Sequence, residues 1–213
     1  MYKNLEKGRS MIEMLGVLAI IGVLSVGGIA GYSKAMEKWK INKAIEGYSY
    51  LTQGLLEHTE DIRALKPATP TSTGKYFLID VIQGLNLVPE GWTVQGHTLI
   101  DTTGTAVNVM SRWNRIVYDM YIGASTYKDN DYVAESFSSK LCQEFMSNFV
   151  QPLHSSLQFA WIYRSKTAPV YYYGDTLCGD DNICLSNMTL SDIHKACTSC
   201  SVGNEDCLLT LEF

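Results

Sequence analysis

The sequence has no charged side chain between Met14 and Ser33. An apolar run of about 20 residues is long enough to cross the hydrocarbon core of a bilayer as one helix. Because this run carries no charge, it is not the surface segment of a protein that is found only in water. It predicts that the chain is associated with a membrane at some stage.

The sequence also lacks a basic stripe, because its formal net charge is −5 and its pI is near 5.3. A protein that coats nucleic acid normally carries clustered Lys and Arg, so no nucleic-acid partner is expected. It contains no nucleophile elbow, no phosphate-binding loop and no H-E-x-x-H sequence. Asp175, Asp180 and Asp181 lack EF-hand spacing and are interpreted as a solvated turn. We expect neither an enzyme nor a bound cofactor.

Cysteine is absent from the first 141 residues. The six cysteines all lie well beyond the apolar run, at Cys142, Cys178, Cys184, Cys197, Cys200 and Cys207. This distribution is typical of a region that faces an oxidising compartment, so disulfides are the first interpretation. Zinc is the second, because Cys197-x-x-Cys200 follows His194. A redox motif would need a helix N-terminus after a strand, which the pattern does not provide, and no metal site is expected.

Three interpretations of the N-terminus are open. A secretory signal peptide would use the basic residues Lys3, Lys7 and Arg9, the apolar run, and a cleavage site at Ala30. A plain membrane anchor would leave a soluble domain outside. Neither explains Glu13, a carboxylate at the mouth of the apolar run. An unpaired charge costs roughly 2.5–3.5 kcal/mol at the bilayer centre on insertion scales, and less near the interface.

The segment GRSMIEMLGVLAIIGVLSVGGIAGYSKA, from Gly8 to Ala35, resembles the leader and first helix of type IV prepilins and pseudopilins. In that family a short basic leader ends in glycine, a membrane-embedded prepilin peptidase cuts directly after it, and the fifth mature residue is glutamate. The resemblance implies cleavage after Gly8, an N-methylated mature N-terminus at Arg9, and Glu13 as the fifth mature residue. Arg9 departs from the family, whose mature chains usually begin with an apolar residue.

Cleavage would create an α-amine about one helical turn before Glu13. When helices pack side by side, the amine of one subunit can meet the carboxylate of its neighbour, and two costly charges then cancel. Gly27 and Gly31 form a G-x-x-x-G pair that allows helices to approach closely. The alternative is that membrane helices simply tolerate glycine.

Beyond Ser33 apolar residues recur at spacings of three and four as far as Leu65, which predicts that the helix continues. We interpret residues 1–8 as a leader, 9–66 as one long helix with about 14–33 in the membrane, and 67–213 as a globular region. Pro67 would end this helix, which would measure about 85 Å.

The globular region contains several short predicted elements. Helices are expected over 77–87, from Ser138 or Ser139 to 150, and over 190–196. Strands are expected over 105–110, 115–122, 157–163, 169–173 and 207–213, the first two joined as a hairpin. The order predicts an α+β fold, with the long helix packed on an antiparallel β-sheet and a C-terminal region held by disulfides.

The globular region also resembles type IVb pilins, more loosely, in the order of its segments LVPEGW, LIDTTGTAVNV, HKAC and CLLTLEF. In that subgroup a disulfide joins the middle helix to the C-terminal region, which implies Cys142 as the first partner. Six cysteines allow fifteen pairings. We expect Cys142–Cys197 as the long closure and Cys178–Cys184 and Cys200–Cys207 as local loops, because this pattern closes each loop without crossing.

The function expected from the resemblance is structural. The chain would polymerise with its own copies into a pilus-like surface filament used for adhesion, motility or uptake. Monomers would be held in the bacterial inner membrane until the prepilin peptidase and the assembly machinery act on them. A minor pilin or a type II secretion pseudopilin remains open, as does a different class, a Sec-exported or membrane-anchored ligand-binding domain. The mature N-terminus distinguishes the classes, being Arg9 for a pilin and Gly31 or Met1 otherwise.

Overall fold

A computed structural model describes residues 11–65, 74–123, 125–128, 131–200 and 207–213. The chain divides into two units, the first ending at Lys40 and the second beginning at Ile41. We call the second unit, Ile41–Phe213, the head. Helix α1 (Met11–Glu57) contributes residues to both units.

Helix α1 ends at Glu57 and is followed by the short helix α2 (Thr59–Ala64). The sequence predicts one unbroken helix to residue 66, but His58 has a non-helical φ of −108° and ψ of 21°. The Thr59 hydroxyl donates to the Leu56 carbonyl at 2.7 Å. A continuous helix would use that carbonyl for the N–H four residues on, so the hydroxyl competes with the helical ladder. Pro67, the predicted stop, lies outside the described residues.

The head continues with short strands and helices. The first group comprises β1 (Lys75–Phe77), α3 (Ile79–Gly84), β2 (Thr93–Gln95), β3 (Thr98–Ile100), β4 (Ala106–Arg112), β5 (Arg115–Tyr121), β6 (Ser125–Lys128) and β7 (Asp131–Ala134). The second comprises α4 (Ser139–Phe145), a π-helical turn (Met146–Val150), a 3₁₀ turn (Gln151–Leu153), β8 (Phe159–Arg164), β9 (Tyr171–Tyr173), a 3₁₀ turn (Leu185–Asn187), α5 (Leu190–Cys197) and β10 (Cys207–Glu212).

Local sequence explains where the later helices begin. Ser138 precedes α4, and its hydroxyl accepts a hydrogen bond from the Leu141 N–H at 3.3 Å. Thr189 and Asp192 form a capping box at the start of α5, each side chain bonding the backbone N–H of the other residue. Such caps satisfy N–H groups that the first turn leaves without intrahelical partners.

Among the described residues, eight strands form one antiparallel sheet in the order β2-β3-β4-β5-β10-β8-β9, with β1 also paired to β4. The last strand, β10, lies in the middle, between β5 and β8. Trp113 and Asn114 join β4 to β5 with φ values of 51° and 61°. Two successive positive φ angles are typical of the two-residue turn whose twist matches that of paired strands.

The head part of α1 covers one face of this sheet. Its buried side chains Ala44, Tyr48, Leu51 and Leu55 recur at helical spacing and share one core cluster with the sheet residues Val107, Val109, Met120, Leu209 and Leu211. The Tyr48 ring lies 4.6 Å from Trp92 and 5.2 Å from Phe145, measured between ring centroids. The predicted α+β fold, a long helix packed on an antiparallel sheet, is therefore confirmed.

Three disulfides hold the C-terminal half of the head. Cys142–Cys197 joins α4 to α5 across a sequence separation of 55, while Cys178–Cys184 and Cys200–Cys207 close local loops. These are the three pairs expected from the sequence. Cys197 and Cys200 are bonded to different partners, so neither offers a thiolate to zinc or forms a C-x-x-C redox pair.

Candidate functional site

Between Met11 and Tyr32, helix α1 presents apolar side chains around its whole circumference. The large apolar residues of this stretch whose side chains are described are all more than half exposed: Met11, Met14, Leu15, Val17, Leu18, Ile20, Ile21, Val23, Leu24, Val26, Ile29 and Tyr32. Among the described residues, α1 is the one helix long and apolar enough to cross a membrane, a test that an N-terminal signal sequence also passes. A helix that is apolar all round belongs in lipid or between other helices rather than in water.

Polar groups in this apolar segment are few, and the one at its centre is satisfied within the helix. The Ser25 hydroxyl donates to the Ile21 carbonyl at 2.7 Å. Hydrocarbon offers no hydrogen-bond partner, so a hydroxyl that bonds back to its own helix removes the penalty of burial there. Ser25 is therefore compatible with the centre of a bilayer.

Glu13 lies in the first turn of α1 and is exposed. Gly8 and Arg9, the predicted processing residues, lie outside the described residues. Glu13 thus is an exposed carboxylate next to the apolar run, where a cation from another molecule can approach it.

The glycines of the first unit have open space around them. Within the described part of the chain, a Cβ at Gly16, Gly22, Gly27, Gly28 or Gly31 would meet no atom within 4 Å apart from the adjoining backbone of its own helix. Glycine weakens a helix interior by roughly 0.5–1 kcal/mol relative to alanine. The fold of a single chain therefore gives no packing reason for Gly27 and Gly31.

Two glycines farther along the same helix behave differently. A Cβ on Gly47 would lie 2.7 Å from Trp92 Nε1, and one on Gly54 would lie 2.4 Å from Leu87 Cδ2. These two positions are one heptad apart and face the segment that leads into β2. In the head, α1 therefore uses glycine where another part of the chain packs directly onto its backbone.

A buried ion-pair network lies at one end of the sheet. Glu212 is 1% exposed and accepts hydrogen bonds from Arg112 Nη2 at 2.9 Å and Arg115 Nη1 at 3.1 Å. The Arg112 guanidinium also stacks over Trp113 and Trp161, at 5.1 and 5.8 Å from the ring centroids. The pairing fixes the end of β10 against the β4–β5 hairpin.

A cleft of about 240 Å³ opens on the face of the sheet that α1 does not cover. Its lining includes Lys75, Asp119, Trp161, Tyr163 and Thr210. Burial raises the pKa of the Asp119 carboxyl, against the opposing effects of the Thr210 hydrogen bond and of the Arg112 and Lys75 charges. The cleft combines aromatic walls with groups of both charges, a composition found in sites for small polar ligands.

The sequence pattern places Glu13, Gly27 and Gly31 on one helix, and the structure keeps them there without bringing any of them to another described element. The six cysteines come together in pairs, away from these residues in the chain. Sequence reasoning missed the contacts of Gly47 and Gly54, although two glycines one heptad apart on an amphipathic helix were a usable signal. The ion pairs of Glu212 could not be predicted from local sequence, because Arg112 and Arg115 are about 100 residues away from Glu212 in the chain.

Comparison of the chain with protein-family models, with curated proteins and with solved structures gives no match.

Proposed function

We propose that this chain is a structural subunit of a type IV pilus-like filament. Prepilin peptidase removes residues 1–8 from a monomer held in the inner membrane by α1. The cleaved subunits then polymerise through their apolar helices, with the aid of the assembly machinery, into a surface filament for adhesion, motility or uptake. The same processing and assembly would apply to a minor pilin or to a type II secretion pseudopilin. Three disulfides suit an exposed surface filament better than a pseudopilus.

The observation that carries the proposal is the difference between the two sets of glycines on α1. Gly47 and Gly54 are required by contacts inside the head, whereas a Cβ at Gly27 or Gly31 meets nothing among the described residues. Small residues in an apolar helix permit close approach of a second helix. A neighbouring copy of α1 is the partner that would pack against Gly27 and Gly31. Glu13 supplies the anion for the new N-terminal amine of that neighbour.

The processing step provides the direct test. We expect the mature protein extracted from membranes to begin at Arg9, as measured by intact mass and N-terminal sequencing. A Gly8→Leu variant should keep its full length, whereas Gly28→Leu should be processed normally. A mature chain that begins at Gly31 would reject the proposal in favour of a secretory signal peptide.

A Sec-exported or membrane-anchored ligand-binding domain is the second candidate, and the cleft beside Asp119 is the observation that favours it. This candidate predicts no cleavage after Gly8 and no filament. Electron microscopy of sheared surface material, together with the N-terminal sequence, separates the two functions.

A further inference from the structure

Two aromatic side chains lie on one face of α1, Tyr32 at the end of the apolar run and Trp39 just beyond it. Tyr32 is 68% exposed and Trp39, seven residues later, is 54% exposed. A separation of seven residues is two helical turns, so the two rings lie one above the other. Lys34 and Lys38 lie between them on α1, and Lys40 follows Trp39. Glu37 is the one acidic residue from Tyr32 to Lys40. This short segment is therefore aromatic and net positive immediately after an uncharged one.

We propose that Tyr32, Lys34, Lys38 and Trp39 form a collar that binds the headgroup layer of an anionic phospholipid bilayer and fixes the depth of α1. The inference rests on the proposed function, since it requires α1 to be inserted. Tyr and Trp concentrate at the membrane–water interface because their rings are apolar and carry one polar group. Lysines just outside the hydrocarbon attract anionic headgroups.

The direction of the helix favours this placement. Side chains in an α-helix tilt toward its N-terminus, and here the N-terminal direction leads into the apolar segment. Trp39 lies about 10 Å beyond Tyr32 along the axis, but its ring covers the preceding turn and reaches back toward the hydrocarbon boundary. The lysine stems tilt the same way, so their ammonium groups stay near the level of the lipid phosphates.

The collar also determines where Glu13 lies. Tyr32 is 19 positions after Glu13, which is about 28 Å of helix at 1.5 Å per residue. The hydrocarbon core of a bilayer is about 30 Å thick. With Tyr32 at one boundary of the hydrocarbon, Glu13 therefore lies at the opposite boundary. A carboxylate at that depth stays hydrated in the monomer, where a charge is less unfavourable than at mid-bilayer.

The full-length protein, reconstituted into vesicles of 70% phosphatidylcholine and 30% phosphatidylglycerol, tests the collar through tryptophan fluorescence. We expect nitroxide headgroup lipids to quench Trp39 more strongly than lipids brominated in the acyl chains. Trp39→Phe should reduce headgroup quenching of the protein at least threefold. Trp113→Phe is the matched control, because Trp113 is 71% exposed in the head, and it should leave the quenching unchanged.

The lysines have a separate readout. With equal amounts of nitroxide on phosphatidylglycerol or on phosphatidylcholine, the anionic label should quench Trp39 more, because the lysines attract anionic headgroups. Lys34→Gln/Lys38→Gln should make the two labels equal. Lys43→Gln should have no effect, since Lys43 is in the head and pairs with Glu46 at 2.8 Å.

Failure of the collar and failure of the proposed function give different results. If the protein does not float with vesicles, α1 is not a membrane segment and both proposals fall. If it floats but Trp39 is quenched by aqueous acrylamide as strongly as Trp113, the collar alone is rejected. Stronger quenching by brominated chains than by headgroup label would place Trp39 inside the hydrocarbon and overturn the depth assigned to Glu13.

Discussion

Gly54 of α1 lies directly against Leu87, so closely that a Cβ on the glycine would be 2.4 Å from Leu87 Cδ2. Leu87 is buried and belongs to the main core cluster. Real atoms do not approach to this distance, so a larger residue must displace Leu87 or separate it from α1. The contact makes Gly54 a structural residue of the head.

Gly54→Ala should lower the free energy of unfolding of the head by roughly 1–3 kcal/mol, the range for overpacked cores. Gly27→Ala should not destabilise the monomer, because its new methyl group meets open space within the described residues. Denaturant titration of the detergent-solubilised protein measures both.

Gly27→Leu should reduce the yield of sheared filaments, with Val26→Leu as the control. Equal filament yields for these two leucine variants would contradict the helix-packing role of Gly27.

Glu13→Gln should leave membrane insertion and cleavage after Gly8 intact and abolish or greatly reduce filament assembly. The substitution keeps the size of the side chain but leaves the neighbour's N-terminal amine buried without its partner, a penalty of roughly 3–5 kcal/mol. The sheared-filament fraction is compared with the membrane fraction. Normal filament yield from cleaved subunits would show that the pairing does not govern assembly.

Glu212→Gln should destabilise the head by roughly 3 kcal/mol. This is the low end of the range for breaking a buried pair, because the side chain of Arg115 is 38% exposed and can be hydrated. Glu60→Gln is the matched control, since the Glu60 partner of Arg63 is 87% exposed and such pairs contribute only about 0–1 kcal/mol. Similar losses in the two variants, measured by denaturant unfolding, would argue against the buried network.

Cys142→Ser/Cys197→Ser should remove about 4 kcal/mol of stability, on the chain-entropy model for its loop. The sequence separation of that pair is 55, against 6 for Cys178–Cys184. The double serine variant of the shorter loop should therefore lose only about 2 kcal/mol. Thermal unfolding ranks the two, and a larger loss for the short loop would reverse the expected order.

Asp119→Asn should reduce the pH dependence of stability. Burial raises the folded pKa of Asp119 above its ordinary value of 3.8, so between these two pKa values the folded state binds more protons than the unfolded state. Stability from this group is greatest below pH 3.8 and falls as pH rises through the raised folded pKa. The asparagine variant should gain relative to wild type as pH rises through this window. An unchanged difference between the two would contradict the assignment.

Much of the fold could be predicted because its signals are local. The turn at Trp113 and Asn114, the cap at Ser138 and the helical spacing from Ile41 to Leu55 are each set within a few residues. The short strands β1, β2 and β3 were missed. Each has three residues, which is too short for an alternating pattern to be recognised.

The residues of the candidate site also differ in whether they could be predicted from local sequence. Glu13, Gly27 and Gly31 could be selected from spacing, because their setting is a single helix. The cleft beside Asp119 could not, since Lys75, Trp161 and Thr210 converge there from strands far apart in the sequence. The interruption at His58 was also missed, because a threonine hydroxyl that captures a carbonyl does not disturb the apolar spacing.

The Cys142–Cys197 bond has a mechanical consequence. A stretch of 55 residues would reach about 190 Å if drawn straight, but the bond holds its ends with Cα atoms 5.7 Å apart. Tension on the chain can therefore pull almost none of this length out of the head. The shorter loop from Cys178 to Cys184 lies inside this segment and is protected by the same closure. The segment from Cys142 to Cys197 therefore resists lengthening under load, whatever the order in which the strands of the head detach.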